Sequence, residues 1–405
     1  MKECTPPLPP SPDEDVPFTL VEETSGLESL ARELEGCSRV AVDLEADSMY
    51  HYQEKVCLVQ ISARGKNWMA DPLAVGHLSS LAPMFADPKV RKVLHGSDYD
   101  IRSLHRDFGI EVKNLFDTQL AACFLGYKET GLASLLASRF DVHLEKKYQK
   151  SNWSRRPLPA EMLAYAARDT AYLLELASGL RKELKKLGRL EWVEEESQIL
   201  THVRVHEDND SPLYLRFKGA GRLDPRTLAV LEEVLKFRNE EARRLDRPPF
   251  KVMGNQSLLN IAEQKPKTMK ELEALSHVTS KQAHLFGRRI LPNVHQALAL
   301  STSDLPVYPH VPRVRMDHRV SLRVQALKDW RTEKSAELSL DPGVMLSNTQ
   351  IRALALTNPR DLRAMGEVEE IRRWQVKALG EEILTTLAEA PKKPKKSSQD
   401  SDPAS

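Results

Sequence analysis

The sequence has only four cysteines, Cys4, Cys37, Cys57 and Cys123, and no two of them form a CxxC pair. That scarcity argues against a cysteine zinc site and a disulfide framework and suits a reducing, intracellular compartment. No apolar run approaches the roughly 18 residues of a membrane span, so no membrane partner is expected. The opening MKECTPPLPPSPDEDVP lacks the apolar stretch of a secretory signal, and a cytoplasmic protein is the expectation. Strong charge of either sign is also lacking. The net charge is +1, so the molecule as a whole does not attract a polyanion. Any nucleic-acid surface must come from local clusters of Lys and Arg.

What is present is a soluble, multi-domain chain. At 405 residues it exceeds one ordinary core. Residues 1–16 and 389–405 read as disordered tails, poor in large apolar residues. PKKPKK in the second tail is weighed as a nuclear signal or phosphate contact against a plain solvated stretch. Residues 17–205 read as α/β. RVAVDLEA, KVCLVQISA and KNWMADP are successive strands, a meander, and RKVLHGS is a further strand that feeds a helix closing at Gly109. Helices follow: FDTQLAACFLG, GLASLLASRF and one long helix from PAEMLAYAARD to KELKKLG. Strands first and helices after predict a mixed sheet flanked by helices.

The C-terminal half has no strand pattern but repeats itself. Pro249, Asn255, Pro266 and Gly287 recur as Pro342, Asn348, Pro359 and Gly380, each at an offset of 93. Linkers at 206–221 and 301–316 then separate two related all-α modules, 222–300 and 317–388, which are expected to fold independently and to contribute binding. The period is too long for a solenoid unit.

Chemistry is carried by acids in unusual places. Asp43 and Glu45 lie two apart on a strand, so both point to the face opposite Val40, Val42 and Leu44. Paired carboxylates repel, and burial penalises their charge; a divalent cation with a preference for oxygen resolves both costs. The alternative is a strand that ends at Leu44 and leaves both acids in solvent. Asp98 and Asp100 fall at a strand–helix junction. Either can serve as a cap or first-turn acid, and Asp100 can point inward ahead of Ile101 and Leu104. Tyr165 and Asp169 stand at i and i+4, one turn apart on one helical face; the plain reading is a packed Tyr and a surface acid.

In that order and context the residues resemble the ribonuclease D family, in the tyrosine branch of the DEDD superfamily of 3′–5′ exonucleases. DLE, then HGSDYD, then YAARD carry the resemblance, with EKVCLVQIS, FDTQLAACFLG and SNWSRRPL flanking them. The paired modules resemble HRDC domains. The resemblance implies a ribonuclease H-like exonuclease domain at 17–205, followed by two HRDC-like domains. It implies that Asp43, Glu45, Asp100 and Asp169 hold two divalent ions, Mg²⁺ or Mn²⁺, and that Tyr165 orients the attacking water. It implies no small-molecule cofactor, and a partner that is RNA with a free 3′ end, tRNA precursors foremost, with the HRDC-like domains aiding RNA binding. Two positions depart from the common pattern. Leu44 stands where many bacterial members have Thr, and Asn152 stands where relatives often have Asp, which leaves the role of that loop open.

Around these motifs, Gln60, His95, Tyr99 and Trp153 are candidates for stacking or phosphate contact, each weighed against an ordinary core or loop place. Arg155 and Arg156 precede the catalytic helix and could meet a phosphate, and Asp117 before Thr118 reads as an N-cap. The expected activity is removal of 5′-mononucleotides from RNA 3′ ends. Two other readings stand beside it. A DNA 3′–5′ exonuclease is disfavoured by the absence of a GxxxxGK[ST] helicase motif, and a catalytically weak RNA-binding adaptor by retention of all four acids and the Tyr.

Overall fold

The computed structural model describes residues 16–145, 147–205, 211–309 and 317–391. Most of both expected tails and parts of both expected linkers lie outside these residues. Six strands form one sheet in the order β1-β4-β3-β2-β5-β6: β1 Thr19–Val21, β2 Arg39–Ala46, β3 Val56–Ala63, β4 Lys66–Ala70, β5 Arg91–Leu94 and β6 Leu115–Asp117. The β2–β3–β4 meander is antiparallel, whereas β1 joins β4 and β5 and β6 extend from β2 in parallel. The sheet is therefore mixed, and every residue of β3 is buried, as a strand covered on both faces must be.

Alternation along β2 sorts its side chains. Val40, Val42 and Leu44 join Val59 and Ile61 in a core closed by Leu27, Leu30 and Leu34 of α1 (Thr24–Leu34). Asp43 and Glu45 take the opposite face, where Leu58 and Met69 pack against a helix described below. After β5 comes α2 (Asp98–Phe108), closed by Gly109 in the left-handed conformation, φ 63°, which a residue without a Cβ adopts at no steric cost. Asp117 ends β6 and caps α3 (Thr118–Phe124), accepting from the Gln119 and Leu120 amides at 2.8 and 3.0 Å. The FDTQLAACFLG segment was expected to be wholly helical. It opens instead on β6, three residues too short to show a period of two.

The helix α4 (Leu132–Phe140) precedes a second correction. The long helix expected after Pro159 is two helices, α5 (Ala160–Ala171) and α6 (Leu173–Lys186), divided at Tyr172, where φ is −106° and ψ −5°. Tyr172 is buried against Phe140. The break lets α5 cover β2, β3 and β4 while α6 turns Leu173, Leu176, Ala177 and Leu180 into the core beside Ala41 and Val93. Hydrophobic periodicity runs through both helices, which is why the sequence reads as one. The domain ends with α7 (Leu190–Leu200).

The 93-residue repeat is visible in three dimensions. The first module contains α8 (Pro225–Arg244), α9 (Asn255–Gln264) and α10 (Ser280–Ala299); the second contains α11 (His318–Glu337), α12 (Asn348–Thr357) and α13 (Arg373–Glu389). Arg238 donates to Asn255 Oδ1 at 2.7 Å, and Arg331 to Asn348 Oδ1 at 3.1 Å. Gly287 leaves room for Met269, and Gly380 for Leu362. The modules dock differently, however. The first keeps its own core, into which part of the expected 206–221 linker folds through Tyr214, Phe217 and Ala220. Val16, placed in the N-terminal tail by sequence, is likewise buried, beside Phe18 and Met69. The second module shares one continuous core with the α/β domain: Met345, Leu346, Ile351 and Trp374 pack with Phe124, Leu176 and Leu180. The second module was expected to fold independently; its apolar face is nonetheless completed by another domain.

Candidate active site

Three elements converge on one acidic crevice. β2 supplies Asp43 and Glu45, and α5 supplies Asp169 from its last turn. Carboxylate oxygens of these three lie within 4.8 Å of one another. The first turn of α2 supplies Asp100, which is 7% exposed, while Asp169 is 8% exposed. Burial raises the protonation of all four, and neighbouring charge adds to it for three. Burial pushes the Asp43 carboxyl up to about 7, against a backbone hydrogen bond from Leu44 that pulls it down. Burial, then the charges of Asp43, Asp169 and Asp100, lift Glu45 well above the ordinary range. Burial and then Asp43 do the same for Asp100 and Asp169, with Asp117 and Asp98 adding to Asp100.

Four buried carboxylates, three of them raised further by their neighbours, fit a divalent cation. They are hard oxygen donors, their repulsion is relieved by positive charge, and the Asp43–Glu45–Asp169 oxygens already converge. The donor set lacks the sulfur and imidazole ligands that softer metals prefer.

Tyr165 sits one turn before Asp169, with Trp153 and Tyr148 rings 6.3 and 5.7 Å from its own. Burial, then Asp169, Glu45 and Asp43, hold its phenol protonated far above the usual tyrosine value, while a hydrogen bond with Gln149 acts the other way. Held protonated, the phenol can donate a hydrogen bond and is no base.

The surrounding residues take places the sequence left open. Asp117 does more than cap α3: it accepts from the Gly96 and Ser97 amides at 3.1 and 2.7 Å and from Ser97 Oγ at 2.8 Å, which fixes the turn that delivers Asp100. Asp98 pairs with Arg102 along α2 at 2.7 Å. Trp153 is 1% exposed and Gln60 is fully buried, so neither can stack on a substrate. Tyr99 is exposed, but its hydroxyl donates to Glu54 at 2.9 Å, and His95 Nδ1 bonds Thr118 Oγ1 at 2.9 Å. Arg156 is structural. It grips the buried Asp71 through two hydrogen bonds and donates to the Trp153 and Cys57 carbonyls at 2.7 and 2.8 Å. Arg155 beside it is exposed.

Sequence reasoning missed one connection. Asn152 Oδ1 accepts from the Ser154 amide and hydroxyl at 3.1 and 2.6 Å; Ser154 Oγ bonds His51 Nε2 at 2.8 Å; His51 Nδ1 meets Asp246 of the first module at 2.7 Å. The Asn152 loop therefore ties the α/β domain to that module. The Asn-x-Ser spacing was the only signal for it.

Comparison with known proteins agrees with the geometry. The 3'-5' exonuclease family matches residues 18–185, and the HRDC domain family matches 227–294 and 322–387. A ribonuclease D of Acidiphilium cryptum (strain JF-5) is 31% identical over 75% of this chain and 78% of its own length. The chain belongs to the ribonuclease D family. Its fold is that of the family, a mixed six-stranded sheet with flanking helices followed by helical HRDC domains. Protein RRP6-like 1 of Arabidopsis thaliana is 32% identical over 87% of this chain, which spans only 55% of that longer relative. The catalytic core of RRP6 from Trypanosoma brucei is 35% identical, with a TM-score of 0.61 over 70% of this chain and 81% of that one. Among the described residues no helix is long and apolar enough to cross a membrane.

Proposed function

We propose that the protein is a divalent-metal-dependent 3′–5′ exoribonuclease that releases 5′-mononucleotides and matures the 3′ ends of structured RNA, tRNA precursors foremost. The observation that carries this reading is the convergence of Asp43, Glu45 and Asp169 within 4.8 Å, with Tyr165 one turn away. Asp43, Glu45 and Asp169 would hold one Mg²⁺ or Mn²⁺ ion, and Asp43 and Asp100 a second. The ions, when bound, supply positive charge to the attacking and leaving oxygens of the phosphodiester. The chain's own part is placement. β2 and α5 set three carboxylates at one point, and Asp117 steadies the turn that presents Asp100. The Tyr165 hydroxyl, protonated throughout the working pH range, orients the water by hydrogen bonding.

The modules divide the remaining work. Between 222 and 300, fourteen Lys and Arg stand against nine acids, whereas 317–388 has eleven of each. The first module thus carries a sequence-independent attraction for the RNA backbone, and the second anchors to the hydrolytic unit. The described cysteines, Cys37, Cys57 and Cys123, are free, which suits the cytoplasm. Matched RNA and DNA oligonucleotides labelled at the 5′ end test the reading. A ladder shortening from the 3′ end of RNA, present with Mg²⁺ or Mn²⁺ and absent with EDTA, is expected. Preferential loss of DNA would favour the deoxyribonuclease alternative, and no metal-dependent shortening of either would favour a binding adaptor.

A further inference from the structure

Gln60 occupies a place that packing does not explain. It lies on β3 directly opposite Asp43 of β2, and residues paired across antiparallel strands share a face, their Cβ atoms about 4.5–5.5 Å apart. Two contacts bracket it along β3. Leu58 packs in the cluster formed by Met162, Leu163, Ala166 and Ala167, and Ser62 Oγ donates to Thr170 Oγ1 at 2.7 Å. Gln60 therefore projects beneath the middle of α5, from the strand position beside Asp43 and toward the helix that carries Tyr165 and Asp169. It is completely buried, and neither its Nε2 nor its Oε1 has a hydrogen-bond partner among the described residues.

A buried amide left unpaired costs about 1–3 kcal/mol. A Leu or Met, like its same-face neighbours Leu58 and Met69, would fill the space without that penalty. An amide kept at this place instead offers a donor to a polar group on the same face. An ionised carboxylate accepts and cannot donate, and the nearest one by strand register is Asp43.

We propose that Gln60 is a positioning residue for Asp43: Gln60 Nε2 donates to an Asp43 carboxylate oxygen and fixes the carboxylate in the orientation that would hold divalent cations. This rests on the metal-site reading above. Ligating carboxylates are themselves held by hydrogen bonds, and loss of such a partner weakens metal binding about 10–100-fold. A side chain that only filled the core would not change metal affinity when replaced by one of equal length.

The experiment is a Mn²⁺ titration of the full chain by calorimetry and by electron paramagnetic resonance of the bound ion, with melting of the EDTA-treated protein alongside. The chains are wild type, Gln60→Met, Gln60→Asn and Asp43→Asn. Gln60→Met is expected to melt at or above the wild-type temperature without metal, yet to bind Mn²⁺ at least about tenfold more weakly. Gln60→Asn keeps the amide but withdraws it by one methylene, and is expected to weaken binding as well. It carries the test if the Met variant does not fold. Wild-type Mn²⁺ affinity in a folded Gln60→Met or Gln60→Asn chain overturns the inference. Asp43→Asn separates the two levels. If it too binds Mn²⁺ like wild type, the metal site itself is wrong; if it loses binding while the Gln60 variants keep it, only the role of Gln60 is wrong.

Discussion

The indole rings of Trp192 and Trp374 stack with centroids 4.6 Å apart and planes 21° from parallel, joining the α/β domain to the second helical module. Phe124 meets Trp374 edge-on at 5.5 Å. Beside them the Glu195 carboxylate accepts from the Arg373 and Trp374 amides at 2.8 and 2.9 Å. One domain thus caps the first turn of a helix in the other, where a negative charge complements the helix dipole. Glu196 takes the Trp374 indole N–H at 2.9 Å. Arg189 donates across the same seam to the Leu338 carbonyl at 2.8 Å.

Trp374→Ala should therefore destabilise the α/β domain and not merely loosen an appendage. Trp374 is 3% exposed, and truncating a buried Trp costs about 3–5 kcal/mol. Urea unfolding followed by far-ultraviolet circular dichroism should show one transition at a lower midpoint. A low-stability transition for the second module alone, with the rest unchanged, would contradict the shared core. By the same argument, a chain ending near residue 210 should be less stable and more prone to aggregate than one lacking only the first module's residues.

Much of this architecture was legible in the sequence, and the misses have physical causes. The alternation of RVAVDLEA shows which face carries Asp43 and Glu45, and the Gly109 stop is where a left-handed residue is needed. Exact offsets announced the repeat. Short β6 and the break at Tyr172 escaped because both are decided by tertiary packing and leave periodicity untouched. The fusion of the second module to the α/β domain escaped for a related reason. Its apolar residues look like any helical core, and nothing local says that Phe124 and Trp192 complete it. The convergence of three acids from positions 43, 45 and 169 was suggested by a resemblance to a family, since no local pattern connects β2 with α5. The burial of Gln60 and Trp153 had no local signal either.

Asp43→Asn should abolish turnover and leave the fold intact. The side chain is nearly isosteric, and its removal takes one charge from a crowded cluster. Activity on a short labelled RNA should fall by on the order of 10² or more, the scale for losing one group that stabilises charge in a transition state. The metal-free protein should melt no lower than wild type. Near wild-type turnover would remove Asp43 from the centre of the site.

Chelation should reveal the repulsion among the acids as a pH dependence of stability. The sign follows from linkage. Asp43 titrates near 7 in the folded chain and near 3.9 when unfolded, and Glu45, Asp100 and Asp169 are displaced upward too. Between about pH 4 and 7 the folded state binds more protons than the unfolded state, so stability falls as pH rises through that window. The melting temperature of EDTA-treated protein should drop between pH 5 and 7.5, and saturating Mg²⁺ should restore it, most at the higher pH. Asp43→Asn should flatten the slope. An EDTA-treated wild type whose stability rises steadily over this range would show that other groups dominate.

Tyr165→Phe separates orientation from packing. The ring stays between Trp153 and Tyr148, so the loss in stability should be that of one hydrogen bond, about 0.5–1.5 kcal/mol. The phenol is held protonated by burial and by Asp169, Glu45 and Asp43, so its loss removes a donor and not a base. If the hydroxyl orients the water, its absence costs geometry at the transition state, where a misplacement of about 1 Å can lower the rate by about 10². The effect belongs in kcat and much less in KM, because the substrate itself loses no contact. The pH–rate profile should keep its shape, since no titrating group has been removed. The measurement is kcat and KM on a short RNA at saturating metal, with thermal melting of the same preparations. An unchanged kcat at unchanged stability would reduce Tyr165 to a packing residue and leave the four acids without an orienting group.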